Sequence, residues 1–213
     1  MRKVVLSTIA VASLTLPMLS FAGTTGNEPI DNHFYVQADI GSTNLDISSD
    51  ALPSQSMTND KFSYAIRAGY EYATTNSWRW GLEIGYLNLG KTTFNNFWFR
   101  NANVVIKQQA IDFVAVLTKD INSKFSLFGK AGFAYLDQSF TLNGQDVINS
   151  SPMDDAEKSV PELGGGLSIN LTKNINIVGT VTHLFSDSIK RGWTTDQAAS
   201  STMASAGIRY NFV

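Results

Sequence analysis

Apolar and polar residues alternate one by one along most of this chain. The clearest run is 61–73, where Phe62, Tyr64, Ile66, Ala68, Tyr70 and Tyr72 are interleaved with Ser63, Ala65, Arg67, Gly69 and Glu71. A period of two puts one set on each face of a β-strand. The same reading predicts eight strands, at about 34–42, 61–73, 78–89, 104–118, 124–138, 160–171, 175–185 and 202–212. In the first, Phe34, Val36, Ala38 and Ile40 oppose Tyr35, Gln37 and Asp39. In the third, Trp78, Trp80, Leu82, Ile84 and Tyr86 oppose Arg79, Gly81, Glu83 and Gly85. The fourth sets Ile111, Phe113, Ala115 and Leu117 against Asp112, although Val114 and Val116 blur it. The fifth sets Phe125, Leu127, Ala131, Phe133 and Tyr135 against Lys130, and the sixth sets Leu163, Leu167 and Ile169 against Glu162. The seventh is phased with Ile175, Ile177, Val181 and His183 on one side and Asn176, Thr180 and Thr182 on the other. The last places Ile208, Tyr210 and Phe212 opposite Gly207, Arg209 and Asn211.

Connection lengths alternate too. Ala73–Trp78, Thr118–Lys124 and Leu171–Ile175 are tight, whereas Thr43–Asp60, Gly90–Asn103, Ser139–Ser159 and Ser186–Ser201 are long. Short turns at one end and long loops at the other is the rhythm of a bacterial outer-membrane barrel. A weak repeat, Leu117 to Asn122 against Leu171 to Asn176, falls at two of the tight turns.

The N-terminus changes the picture. Arg2 and Lys3 precede a mostly apolar stretch, and Ser20-Phe21-Ala22 offers small residues where a signal peptidase reads. Residues 1–22 therefore read as an export signal and 23–213 as one outer-membrane β-barrel domain. No later stretch is apolar for the ~18 residues that a membrane helix needs. Cysteine is absent, so no disulfide framework holds the exported chain. Without Arg2 and Lys3 the 16 basic residues become 14 against 18 acidic, and no basic block marks a nucleic-acid partner. Only 16% of residues are charged, below the ~25% usual for soluble domains.

Lipid on the apolar face explains both patterns. Backbone groups in hydrocarbon must all be paired, so the sheet must close, and eight strands leave an interior that side chains can fill. The expected fold is all-β, an eight-stranded antiparallel up-and-down transmembrane β-barrel. Its expected lumen charge network is Arg67, Glu71, Glu83, Asp112, Lys130, Glu162 and Arg209, with glycines leaving room for the long side chains. Opposite charges in so narrow a space offset one another. Tyr72, Trp78, Trp80, Tyr210 and Phe212 are the expected aromatics of the membrane interface. The alternative is a soluble periplasmic barrel with the same faces reversed, but that would put the bulky residues inside.

The chain resembles the eight-stranded OmpA-type outer-membrane barrels and the small surface barrels related to them. The resemblance is carried by Ala115-Val116-Leu117-Thr118-Lys119-Asp120-Ile121, Leu127 to Tyr135, Pro161-Glu162-Leu163-Gly164-Gly165-Gly166-Leu167 and Ile208-Arg209-Tyr210-Asn211-Phe212. It implies residence in the cell outer membrane of a Gram-negative bacterium. It also implies that Tyr210 and Phe212 in the final strand are read by the assembly machinery, although Val213 departs from the family's aromatic end. A peptidoglycan-binding domain is not expected.

Candidate chemistry is sparse. His33 reads as an ordinary rim residue. His183 with Ser186 and Asp187 is a weak match to a Ser/His/acid site on a barrel that modifies lipid A. Asp154, Asp155 and Glu157 lack the spacing of a cation loop, and the two Asn-x-Ser/Thr patterns read as chance. No metal, cofactor or catalytic residue is expected. Phe94, Phe97, Trp98 and Phe99 in one long loop are candidates for a surface binding patch, or equally for aromatics that dip into the upper membrane interface or cap the barrel. Lys190, Arg191 and Trp193 in another are candidates for contact with lipopolysaccharide phosphates. The resulting expectation is a non-enzymatic barrel with a structural and surface-interaction role through four loops, of the adhesin or envelope-integrity type. Its partners would be outer-membrane lipid, lipopolysaccharide and a host or surface ligand. A narrow pore and a lipid A-modifying enzyme are the alternatives.

Overall fold

A computed structural model describes residues 32–47, 56–74, 77–95, 103–142, 145–146, 156–186 and 198–212. Ten strands follow in order: β1 (His33–Leu45), β2 (Ser56–Asp60), β3 (Phe62–Ala73), β4 (Trp78–Asn95), β5 (Val104–Asp120), β6 (Phe125–Leu142), β7 (Gln145–Asp146), β8 (Ala156–Asn170), β9 (Ile175–Leu184) and β10 (Ser201–Phe212). Eight of them pair antiparallel in the cycle β1-β3-β4-β5-β6-β8-β9-β10, and β1 pairs with β10 to close it. The two short strands extend this wall. β2 continues the line of β3 past Lys61 along the upper part of β4, and β7 folds back on the end of β6. No helix among the described residues is long and apolar enough to cross a membrane, and the exposed apolar surface is carried by strands.

Closure is staggered. From Phe34 the register runs through Tyr70, Leu82, Ala115, Ala131, Leu163, His183 and Thr202 and returns to β1 at Asn44, ten residues further on. Such shear tilts the strands by roughly 35–45° to the barrel axis. At ~3.3 Å of rise, each residue then climbs ~2.5 Å along the axis.

Burial follows the alternation. Phe34, Ile66, Ile84, Phe113, Phe133, Leu163, Val181 and Ile208 point outward and are exposed, while Tyr35, Arg67, Glu83, Asp112, Lys130, Glu162 and Arg209 are buried inside. A continuous apolar exterior of this size suits lipid. In β5 the outward set is Ile111, Phe113, Ala115 and Leu117. The blur in that strand has a simple cause: Val114 and Val116 pack inward with Phe128 and Val178. In β9, Ile175, Ile177 and Val181 face out and Asn176, Thr180 and Thr182 face in.

The structure departs from the alternation in how far the strands run. β4, β5 and β6 have 18, 17 and 18 residues, against 10 in β9 and 12 in β10. The third expected strand ended at Leu89 because the register of β4 against β5 shifts between Asn88 and Lys91. A bulge breaks the period of two, and alternation then resumes with Thr92 and Phe94 inside. The repeat noted in the sequence is also out of step with the backbone. Ile121 N donates to Phe125 O just as Leu171 N donates to Ile175 O, so Ile121 rather than Leu117 matches Leu171. One position on, Asn122 Oδ1 accepts from Lys124 N and Phe125 N, and Thr172 Oγ1 accepts from Asn174 N and Ile175 N. Both are turns held by a short polar side chain.

Candidate functional site: the filled lumen and the outer rim

Inward positions on neighbouring strands meet at the barrel axis, and in the half nearer the tight turns they carry charge. Arg67 lies at the centre, ion-paired with Asp39, with Nε 3.4 Å from Glu83 Oε1 and 3.8 Å from Asp112 Oδ2. Lys130 Nζ donates to Glu83 Oε1 at 3.0 Å, and the Tyr35 hydroxyl donates to Glu83 Oε2 at 2.8 Å. Glu71 accepts from Arg79 Nε at 2.8 Å, Arg209 Nη1 at 3.1 Å and Thr118 Oγ1 at 3.1 Å. Arg79 Nη1 also reaches Asp120 Oδ2 at 2.6 Å. Arg209 donates through Nε to Gln37 Oε1, and its guanidinium lies 4.0 Å from the centre of the Tyr35 ring and 5.5 Å from that of Phe128. This is guanidinium chemistry, combining forked donors with a planar face. Two glycines leave the needed space: a Cβ on Gly69 would meet the Tyr35 ring at 2.4 Å, and one on Gly85 would meet Asp112 Oδ1 at 2.5 Å.

Nearer the long connections the same inward positions become apolar. Leu87, Leu89, Ala110, Leu136, Val160, Leu184 and Met203 form one buried cluster. The chain entering β10 covers it. Ala198 and Ala199 are fully buried there. Gln108 Nε2 donates to Ala199 O at 2.7 Å, and Ala199 N donates to Gln138 Oε1 at 3.0 Å. Ser186 Oγ donates to Ala198 O, and Asp46 N to Ser200 O.

Outside, an aromatic girdle surrounds the turn end. Tyr72 and Trp80 stack at 5.0 Å, Tyr210 and Phe212 meet edge-on at 4.9 Å, and Lys119 Nζ lies 5.0 Å from the centre of the Trp78 ring. Toward the rim, the Tyr86 hydroxyl donates to Gln109 Oε1, Gln109 Nε2 donates to Asp137 Oδ2, and Tyr135 donates to Glu157.

The seven residues expected in the lumen are all buried there. Arg67, Glu83, Asp112 and Lys130 converge, Glu71 and Arg209 pair nearer the turns, and Glu162 sits on β8 at the upper edge of the charged half. Tyr72, Trp78, Trp80, Tyr210 and Phe212 are exposed at the turn end. Other candidates are placed differently. Phe94 is not an exposed loop residue: it is fully buried on the inner face of β4, because the bulge reset its phase. Phe97, Trp98, Phe99, Lys190, Arg191 and Trp193 lie outside the described residues, as do residues 1–22, Asp154, Asp155 and Asp187. His33 is buried, 3.8 Å from Glu71, rather than at an open rim. His183 Nδ1 contacts Thr202 Oγ1 at 2.7 Å, while the Ser186 hydroxyl donates elsewhere, so these two are not brought together. Among the described residues no group of three His, Cys, Asp or Glu is placed to hold a metal ion.

Sequence reasoning missed two things. One is the wider membership of the network: Tyr35, Gln37, Asp39 and Arg79 share the inward phase of Arg67 and Glu83. The other is the apolar cluster. Leu87 and Leu136 fall at inward positions of strands already phased by Glu83 and Lys130, so continuing the count would have found it.

The family model for the outer membrane protein beta-barrel domain matches residues 8–212. Among solved structures, the chain is similar to Ail, the attachment invasion locus protein of Yersinia pestis, in complex with the heparin analogue sucrose octasulfate. The TM-score is 0.51 at 14% identity, over 85% of this chain and 99% of that one. It is also similar to the outer membrane protein OprG of Pseudomonas aeruginosa, with a TM-score of 0.50 at 14% identity, over 85% and 96% of the two chains. At such identities the likeness is one of fold. No curated protein sequence matches.

Proposed function

This chain belongs to the outer membrane protein beta-barrel domain family, and from that premise we propose that it is a closed, non-enzymatic surface barrel that works through its extracellular side. Tight turns lie on the periplasmic side of such barrels and long connections outside. The observation that carries the reading is the unequal wall. Above the apolar band, β5 continues from Ile111 to Val104, a climb of ~17 Å at the tilt given above. β4 and β6 accompany it, with β2 and β7 on their edges. A sheet standing clear of the membrane is a platform for contact with another surface. The filled lumen supports closure. The Ail structure, which carries a sulfated sugar, motivates an anionic surface glycan as the first ligand class to try.

Two further assignments belong to this reading. Residues 1–22 are the export signal, so N-terminal sequencing of the mature protein starts at Gly23. Tyr210 and Phe212 present the final strand to the assembly machinery, and F212A lowers the amount of assembled barrel in cells.

The test is limited proteolysis of intact barrel in micelles, followed by binding to host-cell surfaces and sulfated glycans. Trimming the projecting wall should abolish binding while the unboiled band keeps its fast migration. Binding that survives trimming, or an untrimmed barrel that binds neither surface, would refute the reading.

A further inference from the structure

The β4 bulge does more than end a sequence pattern. Leu87 and Leu89 face inward, so strict alternation would carry Lys91 inward too. Instead, Gly90 adopts φ +85°, the register shifts between Asn88 and Lys91, and Lys91 is turned outward. The left-handed φ favours glycine at this position, and a Cβ would meet Asp60 O at 2.6 Å. The consequence is unusual: Lys91 becomes the direct cross-strand partner of Lys107, which also faces outward. Lys61, between β2 and β3, is exposed beside the same bulge. Its neighbour Asp60 is the cross-strand partner of Lys91 and lies 3.7 Å from the ammonium. Lys91 thus has one ion-paired carboxylate, Asp60, while the carboxylate on the Lys107 side is Asp137, which accepts from Gln109. Like charges placed directly opposite one another destabilise a sheet, so a bulge that creates such a pair calls for an anion.

The height and the surface below indicate which anion. Lys107 is two outward positions above Ile111, so it stands ~10 Å beyond the apolar residues of β5. Headgroups occupy roughly 5–8 Å on each side of the hydrocarbon core, and lysine stems reach along a surface to place their charge. Beneath Lys91 lie the paired rings of Tyr64 and Tyr86, 6.3 Å apart, and below them exposed Ile66 and Ile84, while Gln109 stands between Lys107 and exposed Ile111. Charge above the apolar track of β3 and β4 matches a phosphate with acyl chains beneath it, and a soluble anion would have no use for the track.

We infer that Lys91 and Lys107, with Lys61 beside them, seat the phosphate of an outer-leaflet glycolipid against the barrel wall. The inference rests on the orientation proposed above and adds a lipid site to it.

The test uses the refolded full barrel in maltoside micelles, titrated with bis-phosphorylated lipid A and read by native mass spectrometry. K91Q/K107Q should weaken binding at least tenfold, and K91R/K107R should retain it. Enzymatically dephosphorylated lipid A should bind the wild type as weakly as phosphorylated lipid A binds the Gln variant. K124Q/K173Q, at the opposite end, should match wild type. Heat-modifiable migration verifies that each variant is folded; if the Gln pair does not fold, the phosphate dependence of the wild type and the Arg pair decide the matter. Unchanged affinity in K91Q/K107Q, or wild-type indifference to dephosphorylation, would overturn the site. Inorganic pyrophosphate binding as tightly as lipid A would overturn the lipid as its source. The glycan assay on trimmed barrel is independent, so either proposal can fail alone.

Discussion

The turn-end half of the lumen is filled by Arg67, Glu83, Lys130, Glu71 and Arg209 in mutual contact, and the rim-end half by Leu87, Leu136, Leu184 and Met203. Both sets occupy inward positions of the same strands. In the charged half each group depends on particular partners at fixed geometry, since a buried charge without its counter-ion is costly. In the apolar half, stability follows volume and contact, with no directional requirement. Charges therefore specify one arrangement, while the apolar cluster excludes water above it. The comparison teaches that closure of this barrel has two independent supports, which respond differently to substitution.

The largest expected effect is R67A. It leaves Asp39 and Asp112 without their ion-pair partner and Glu83 with Lys130 as its remaining cation, and removing one member of a buried pair typically costs ~3–5 kcal/mol. Urea unfolding of the refolded barrel in micelles would read this as a lower midpoint. A loss below about 1 kcal/mol would mean that water hydrates the lower lumen and the network is not a dry one. Next is L136A in the apolar half, at about 2–4 kcal/mol for a cavity in a packed cluster. L136M should cost less than ~1.5 kcal/mol, because the site responds to volume and not to identity. Equal losses in the two Leu136 variants would erase the contrast between the halves.

Much of this was legible in the sequence, for a physical reason. Lipid outside and polar groups inside impose period-two alternation on every strand, so Arg67, Glu83, Asp112, Lys130 and Arg209 could be set inward from spacing alone. Three features escaped. The bulge at Gly90 reverses phase, so Phe94 appeared as an exposed loop aromatic although it is buried. The apolar cluster sits where the faces exchange character: Leu136, Leu184 and Met203 point inward while Asp137, His183 and Thr202 point outward, so apolar residues there no longer mark the outer face. The tuck of Ala198 and Ala199 against Gln108 and Gln138 is a contact across 91 and 61 residues, which no local pattern encodes.

A smaller effect sharpens the electrostatic side of the comparison. The buried acids Asp39, Glu71, Glu83, Asp112 and Glu162 outnumber the buried bases Arg67, Arg79, Lys130 and Arg209. Neutralising an acid that no base directly contacts should be harmless or mildly favourable. E162Q is expected to change stability by no more than about 1 kcal/mol, in the stabilising direction, whereas E83Q, which loses contacts to Lys130 and Arg67, should destabilise. Destabilisation by E162Q comparable to that of E83Q would show that Glu162 has a partner of equal weight.

The smallest expected effect is on conduction, and it tests the two supports against each other. R67A opens the charged half but leaves Leu87, Leu136 and the Ala198–Ala199 segment in place above it. L87S/L136S makes the apolar half wettable but leaves Arg67 and Arg209 bridging the space below. In planar bilayers each variant alone should conduct no more than wild type, because ions must pass both halves in series. The combined triple variant should show discrete channel openings if it folds. The Gln108→Ala/Gln138→Ala variant, which only releases the clamp on Ala199, offers a milder way to weaken the same upper seal. Conduction in R67A alone would mean that the apolar half is no barrier and that the charged network is the sole gate. Conduction in L87S/L136S alone would assign that role to the apolar cluster.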